Sequence, residues 1–413
     1  MTTDATAIIA PAIAPAPPES DRGRGYFASA WIRTFRQAGA KVGMTWIVIV
    51  VFAGVFAPLI ASSYPIAMRD SSGHWSSPMF KVLDYADITL MLLTLIGVAS
   101  YVLQRLNIRQ ARYGLWLVAA IVALTPLTYL LRPGQPPVSD FAYEHYRMGV
   151  ANGSILRAIH TIIPYSPSDR LTDKPSGLQS NPPSREHWLG TTDNAEDVLS
   201  RMIHASRTAV SVGFVATSIA LFIGVLVGGV MGYFVGVADI IGMRLIEIFE
   251  AIPTLILIIT FVTFYRDYMN IYSIMAIIGA TSWTGDARFV RAEFLRLRDQ
   301  DFVHAAKAAG LPLRSILFRH MLPNGITPLL ISTSFGVASA ILTESYLSFL
   351  GLGIPDRASW GQMLDAARGQ GTSFAWWLAV FPGGAIFLTV FAYNLIGESV
   401  RDALDPKLLQ RDS

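Results

Sequence analysis

The chain has 413 residues, of which 52% are hydrophobic and 15% charged, with a formal net charge of +3. About a quarter of a soluble globular domain is charged, so this composition excludes a chain that presents polar groups to water over its whole surface. The absence of cysteine excludes disulfides, thiolate metal sites and cysteine nucleophiles, and a small basic excess is ordinary for a membrane protein and suggests no nucleic-acid surface.

Several continuous apolar runs approach or exceed the ~20 residues that a helix needs to cross a bilayer. Only helices and closed barrels satisfy their backbone in lipid, and the short alternating segments of a barrel are missing. The expected fold is an all-α polytopic membrane protein of about eight transmembrane helices, with lipid as its surroundings.

In chain order, residues 1–40 read as a disordered cytoplasmic tail. Met1 to Gly25 is rich in Ala and Pro, carries Asp4, Glu19 and Asp21, and lacks the basic start and apolar core of a secretory signal. The first span, Val42 to Ser62 within 41–65, follows Arg33, Arg36 and Lys41, which places the N-terminus inside. Residues 66–131 contain an extra hairpin, Ile88 to Leu103 and Gly114 to Leu131, around a loop with Arg105, Arg109 and Arg112. Residues 132–206 form a long periplasmic loop, whose end, Thr191 to Arg207, reads as an amphipathic helix at the membrane face capped by Asp193 or Asn194.

The transmembrane domain proper covers 207–408. Its spans are Val210 to Val235, Leu245 to Tyr265, Ile271 to Thr284, Thr327 to Leu350 and Leu378 to Ile396, so both termini lie inside. Gly224, Gly228, Gly232 and Gly236 recur every four residues and form one helical stripe. Such a stripe is either a seam for close helix packing or the ordinary abundance of glycine in membrane helices.

Catalytic signatures are missing. The sequence has no G-x-x-x-x-G-K-[ST] phosphate loop, no H-E-x-x-H helix and no G-x-S-x-G elbow, and its seven histidines are scattered without metal spacing. A transport or scaffold role is expected rather than an enzyme, with no metal and no cofactor on this chain. Glu344 lies inside a span, and Glu247 and Glu250 start another. Charge in lipid is expensive, so these three either line a solute path or are, for Glu344, a buried hydrogen-bonded carboxyl and, for the other two, side chains reaching interfacial water.

The polar stretch 286–324 holds Arg288, Arg291, Arg296, Arg298, Lys307, Arg314 and Arg319 and is therefore cytoplasmic. Ala292 to Leu297 and Phe302 to Ala309 read as helical, Gly310-Leu311-Pro312 breaks the run, and a short helix from Arg314 to Arg319 stops near Pro323. The low-bulk segment Ala305 to Ala309 suits either insertion into a groove on a partner or a solvated connector.

This stretch resembles the "EAA" motif of ABC importer permeases. His304-Ala305-Ala306 is followed after three residues by Gly310 and after nine more by His320-Met321-Leu322-Pro323. The spacing matches throughout, with His304 in place of the motif glutamate and His320 in place of the isoleucine. Residues Ala305 to Asn324 resemble the dipeptide/oligopeptide permease version. His187-Trp188-Leu189-Gly190-Thr191, Glu344 to Gly353, Ser359-Trp360-Gly361 and Arg401 to Pro406 resemble other segments of that family, although Ala195-Glu196 stands where Gly-Arg is usual. The resemblance covers about 40–65 and 185–408, and it implies a six-helix permease core to which this chain adds its hairpin.

The resemblance implies a permease subunit of an ATP-driven importer of peptides. Phe302 to Phe318 would be its coupling helix, seated in a separate ATPase through Ala305, Ala306, Gly310, Arg314 and Arg319. The implied partners are a second, related permease in a heterodimer, two ATPase subunits carrying ATP and magnesium, and a solute-binding protein outside. Relatives that carry nickel or glycosides keep the cargo open, and an ion-gradient-driven secondary transporter is the rival class.

Overall fold

In a computed structural model the described residues are 33–105, 140–171, 180–355, 357–368 and 374–404. The predicted tail up to residue 32, the predicted span Gly114 to Leu131 and the end of the predicted domain beyond 404 lie outside them. Helix α1, Ala38–Val55, is followed by a short helical turn at Ala57–Ile60. Strands β1, Ala67–Asp70, and β2, Trp75–Ser76, form a hairpin ahead of α2, Tyr85–Arg105. Helix α3, Ala142–Ala151, and strand β3, Ile155–Ile159, come next. The strands pair antiparallel in the order β2-β1-β3, so the mostly helical fold carries a small sheet that the all-α expectation did not contain. Asp70-Ser71-Ser72-Gly73 closes the hairpin, with Gly73 at φ +86° and its N–H donating to Asp70 O at 2.9 Å. These strands are too short to show the apolar alternation by which a sequence announces a strand.

The long axis of the molecule is α4, Val198–Phe234, a single 37-residue helix. It absorbs both the predicted interfacial helix after residue 197 and the predicted span that follows. Asp197 caps it, accepting from Ser200 N at 2.8 Å, whereas Asp193 and Asn194 sit in the preceding turn. The charges that looked like a membrane boundary are met from inside the bundle. Arg201 pairs with Glu196 at 2.6 Å, His204 Nε2 lies 3.0 Å from Ala61 O, and Arg207 pairs with Asp87 of α2.

Helices α5, Val237–Glu250, and α6, Thr254–Phe264, are bent by 74° at a break containing Pro253, whose missing N–H interrupts the helical ladder. Helices α7, Ile271–Thr281, α8, Trp283–Leu297, and α9, Asp301–Ala308, follow. A π turn at Ile316–Met321 leads directly into α10, Leu322–Phe349. Pro323 therefore does not end a helix: the helical run continues through it into α10, with the π turn just ahead of the place where its missing N–H interrupts the regular ladder. Helix α11, Trp360–Ala366, and α12, Trp376–Leu404, complete the described chain.

Among the described residues three helices, α1, α4 and α12, are long and apolar enough to cross a membrane. The count becomes five if each bent pair, α5 with α6 and the segments on either side of the 75° break in α10, is one span. The expected eight are thus not all accounted for. The helices approach α4 closely at small residues. A Cβ on Gly54 of α1 would lie 2.9 Å from Arg207 N, and one on Gly279 of α7 2.7 Å from Ala216 O.

Candidate functional site

The predicted docking segment is a distinct element at one end of α4. In α9, Val303 and Ala306 are buried against Val290, Phe294 and Leu297 of α8 and against Ile316 and Met321. His304, Ala305, Lys307 and Ala308 face out, and Lys307 Nζ stands 5.2 Å from the Tyr233 ring centroid near the end of α4. The helix closes in a Schellman arrangement. Gly310 N donates to Lys307 O at 3.0 Å and Leu311 N donates to Ala306 O at 3.2 Å, with Gly310 at φ +69°. Glycine is favoured there because the left-handed conformation penalises a Cβ, not because space is short, since a Cβ would meet nothing within 4 Å. Of the two alanines in the motif, Ala305 points outward while Ala306 belongs to the core beneath. Leu322 is half-buried and Pro323 exposed at the start of α10.

Most arginines of this region are committed within the chain. Arg288 reaches Glu250 at 2.5 Å, Arg291 holds Asp239 through two nitrogens, Arg296 pairs with Glu293, and Arg298 with Asp299 at 3.2 Å. Arg314 and Arg319 are exposed and, like the outward-facing Lys307, make no ion pair among the described residues, so this face presents unpaired positive charge. Glu247 is exposed and pairs with Arg244 at 2.5 Å.

Three glycines of the stripe meet α8. Cβ atoms on Gly224, Gly228 and Gly232 would lie 2.6 Å from Asp286 Cβ, 2.3 Å from Ala287 O and 2.6 Å from Arg291 O. Gly236 is separate: it sits in the turn before α5 at φ +59° with nothing within 4 Å. The seam carries Asp286 into the bundle, where Ser332 of α10 donates to it at 2.6 Å. Sequence reasoning assigned Asp286 to a loop. The signal that could have found α8 is the spacing of Ala287, Val290, Phe294 and Leu297, a helical stripe hidden among arginines.

Glu344 is 4% exposed, and its Oε1 accepts from Ser348 and Ser359, each at 2.7 Å. It joins α10 to the start of α11. Thr208 donates to Ala358 O at 2.9 Å and Trp360 Nε1 to Met202 O at 3.2 Å, so this junction rests on the Asp197 end of α4. Helix α9 and this junction therefore occupy opposite ends of one helix, α4.

The fold and the site define a polytopic helical membrane protein that presents a short, outward-facing, glycine-capped helix at one end of its bundle. Residues 224–410 match the family "binding-protein-dependent transport system inner membrane component", and residues 25–78 match the "N-terminal TM domain of oligopeptide transport permease C". The oligopeptide transport system permease protein OppC of Bacillus subtilis is 37% identical over 228 residues, covering 55% of this chain and 74% of that one. The dipeptide transport system permease protein DppC of the same organism is 38% identical over 231 residues, 56% and 72% of the two chains. DppC of Alkalihalophilus pseudofirmus is 36% identical over 256 residues, 62% and 82%. A solved structure of the MetNI methionine ABC transporter aligns at 18% identity over 48% of this chain and 96% of that one, with a TM-score of 0.36, too low for geometric comparison. The chain belongs to the family of binding-protein-dependent transport system inner membrane components. It is a multi-pass permease component, which sets the ion-gradient-driven rival aside.

Proposed function

We propose that this chain is one half of the membrane pathway of an ATP-driven peptide importer. A second, related permease completes the pathway, two ATPase subunits bind ATP and magnesium, and a solute-binding protein delivers the cargo from outside. The observation that carries the reading is the exposed α9 face ending in the Gly310 cap, with Arg314 and Arg319 beside it. The names of the OppC and DppC relatives support peptides as cargo. In this reading the α9 end of the bundle is cytoplasmic and lies in the bacterial inner membrane. Trp377 at the start of α12 bonds to Thr191 O at 3.1 Å, near the Asp197 end of α4, while Gly39 at the start of α1 lies beside Ser399 near the end of α12. That arrangement supports both termini on the α9 side.

The test is affinity purification of the assembled complex with parallel uptake of a labelled dipeptide. The wild type is expected to carry an ATPase and to accumulate dipeptide only with ATP. Gly310→Val, which forces a β-branched residue into φ +69°, is expected to insert normally but lose the ATPase and the uptake. Unchanged uptake by that variant, or a wild-type chain recovered without an ATPase, would overturn the proposal.

A further inference from the structure

At the end of α4 remote from α9, a cavity of about 310 Å³ opens between the turn 192–196 and helix α11. Such a volume is at the small end of ligand sites. Two of its four charged groups neutralise each other: Arg201 Nη1 lies 2.6 Å from Glu196 Oε2, and Thr192 Oγ1 donates to the same oxygen at 3.0 Å. The other two, Arg170 and Asp193, line the same cavity and have no ion pair with any described residue. Nor do they pair with each other, so they stand beyond ion-pair contact. Among the described residues the cavity thus holds one unpaired cation and one unpaired anion.

The turn that carries Asp193 is held in an uncommon shape. Thr192 N donates to Glu196 O and Ala195 N to Thr192 O, both at 2.9 Å, while Ala195 adopts φ +60°, a conformation that a residue with a Cβ rarely takes. Two further polar atoms on wall residues, Arg201 Nε and Gln362 Oε1, are enclosed without a hydrogen-bond partner among the described residues. Gln362 is pinned by its own Nε2, which donates to Ile354 O at 2.6 Å.

We propose that this cavity binds a small zwitterion, its carboxylate on Arg170 and its ammonium on Asp193. An extended dipeptide spans at most about 7 Å, which suits two charges set apart beyond contact distance. The inference rests on the peptide reading for the length of its ligand and deepens it by giving this subunit its own recognition of peptide termini.

The assembled transporter, purified without its binding protein, is titrated calorimetrically with alanyl-alanine, with its N-acetylated form and with its C-terminal amide. Wild type is expected to bind the free dipeptide saturably in the millimolar range and each blocked form at least tenfold more weakly. Asp193→Asn should lose the preference for a free amine and Arg170→Gln the preference for a free carboxylate, each keeping the other preference. A general folding defect does not produce that matched pattern. No saturable binding, or equal binding of all three ligands, overturns the site. Uptake of the same dipeptide is measured separately. Wild-type uptake with no site in the titration leaves the peptide reading standing without this cavity, and binding without uptake does the reverse.

Discussion

Asp169 is wholly enclosed in the cap formed by residues 142–171 over the end of α4. Its Oδ2 accepts from Tyr143 N at 3.0 Å and from the Ser63 hydroxyl, and its Oδ1 has no hydrogen-bond partner among the described residues. Burial pushes its carboxyl up from 3.8 to about 6; the two hydrogen bonds oppose the rise, and the acids Asp140 and Glu144 add to it. A folded pKa above the unfolded one means that the native state holds the proton more tightly. The contribution to stability is therefore full below about pH 4 and is lost as pH rises through about 6. At ~1.4 kcal/mol per unit, the difference is on the order of 3 kcal/mol. Asp169→Asn keeps an oxygen acceptor and removes the charge. It should unfold several degrees above wild type near pH 7.5, and the gap should close by about pH 4. Thermal unfolding of the purified protein at the two pH values decides the matter. A variant less stable than wild type at the higher pH shows that the carboxylate is wanted in its charged form.

Packing between elements turns on the absence of side chains. At Gly228 an added methyl would lie 2.3 Å from Ala287 O and 2.9 Å from Val290 Cβ, and neither α4 nor α8 can yield without opening the seam. Lipid supplies no hydrophobic drive to hold a loosened pair together. Gly228→Ala is expected to destabilise by at least the ~1–3 kcal/mol of an overpacked core and to lower the yield of folded protein. Gly236→Ala meets nothing but must hold φ +59° with ψ −125°, a glycine-favoured backbone that costs about 1–3 kcal/mol; with no neighbour to displace, its yield is expected to exceed that of Gly228→Ala. Equal yields of the two variants in a size-exclusion assay would remove the seam from the account. The stripe was legible as a period of four, but where it ends was not, because Gly236 continues the period and leaves the helix. The helix that closes at Gly310 was legible from the helix formers of 302–309 and the Gly310-Leu311-Pro312 break, because both signals are local. The continuity of α4 was not, because Arg201, His204 and Arg207 look like a membrane boundary until Glu196, Ala61 and Asp87 are found beside them. The sheet and the inward face of Ala306 depend on which distant segment lies opposite, and local sequence does not state that.

Across the whole molecule, α4 runs from Arg201, in the wall of the polar cavity, to Tyr233, beside Lys307 of α9. At about 1.5 Å per residue the two lie ~48 Å apart. The helix has no break between them, whereas its neighbours are bent by 74° between α5 and α6 and by 75° within α10. A stiff central helix beside two jointed ones suits a bundle in which movement at one end is passed to the other, and such passage requires an element with two arrangements biased from both sites. Because the chain has no cysteine, Asn194→Cys places a single thiol on the exposed tip of the turn at the cavity. In the assembled complex, a non-hydrolysable ATP analogue should change its labelling rate by roughly fivefold or more, the low end of ordinary coupling between sites. The same thiol in a Gly310→Val background, with the docking helix miscapped, should label at one rate with or without nucleotide. A nucleotide effect that survives Gly310→Val would route the signal around α9; no effect in the Asn194→Cys protein itself would mean that the cavity end does not respond to events at the docking end.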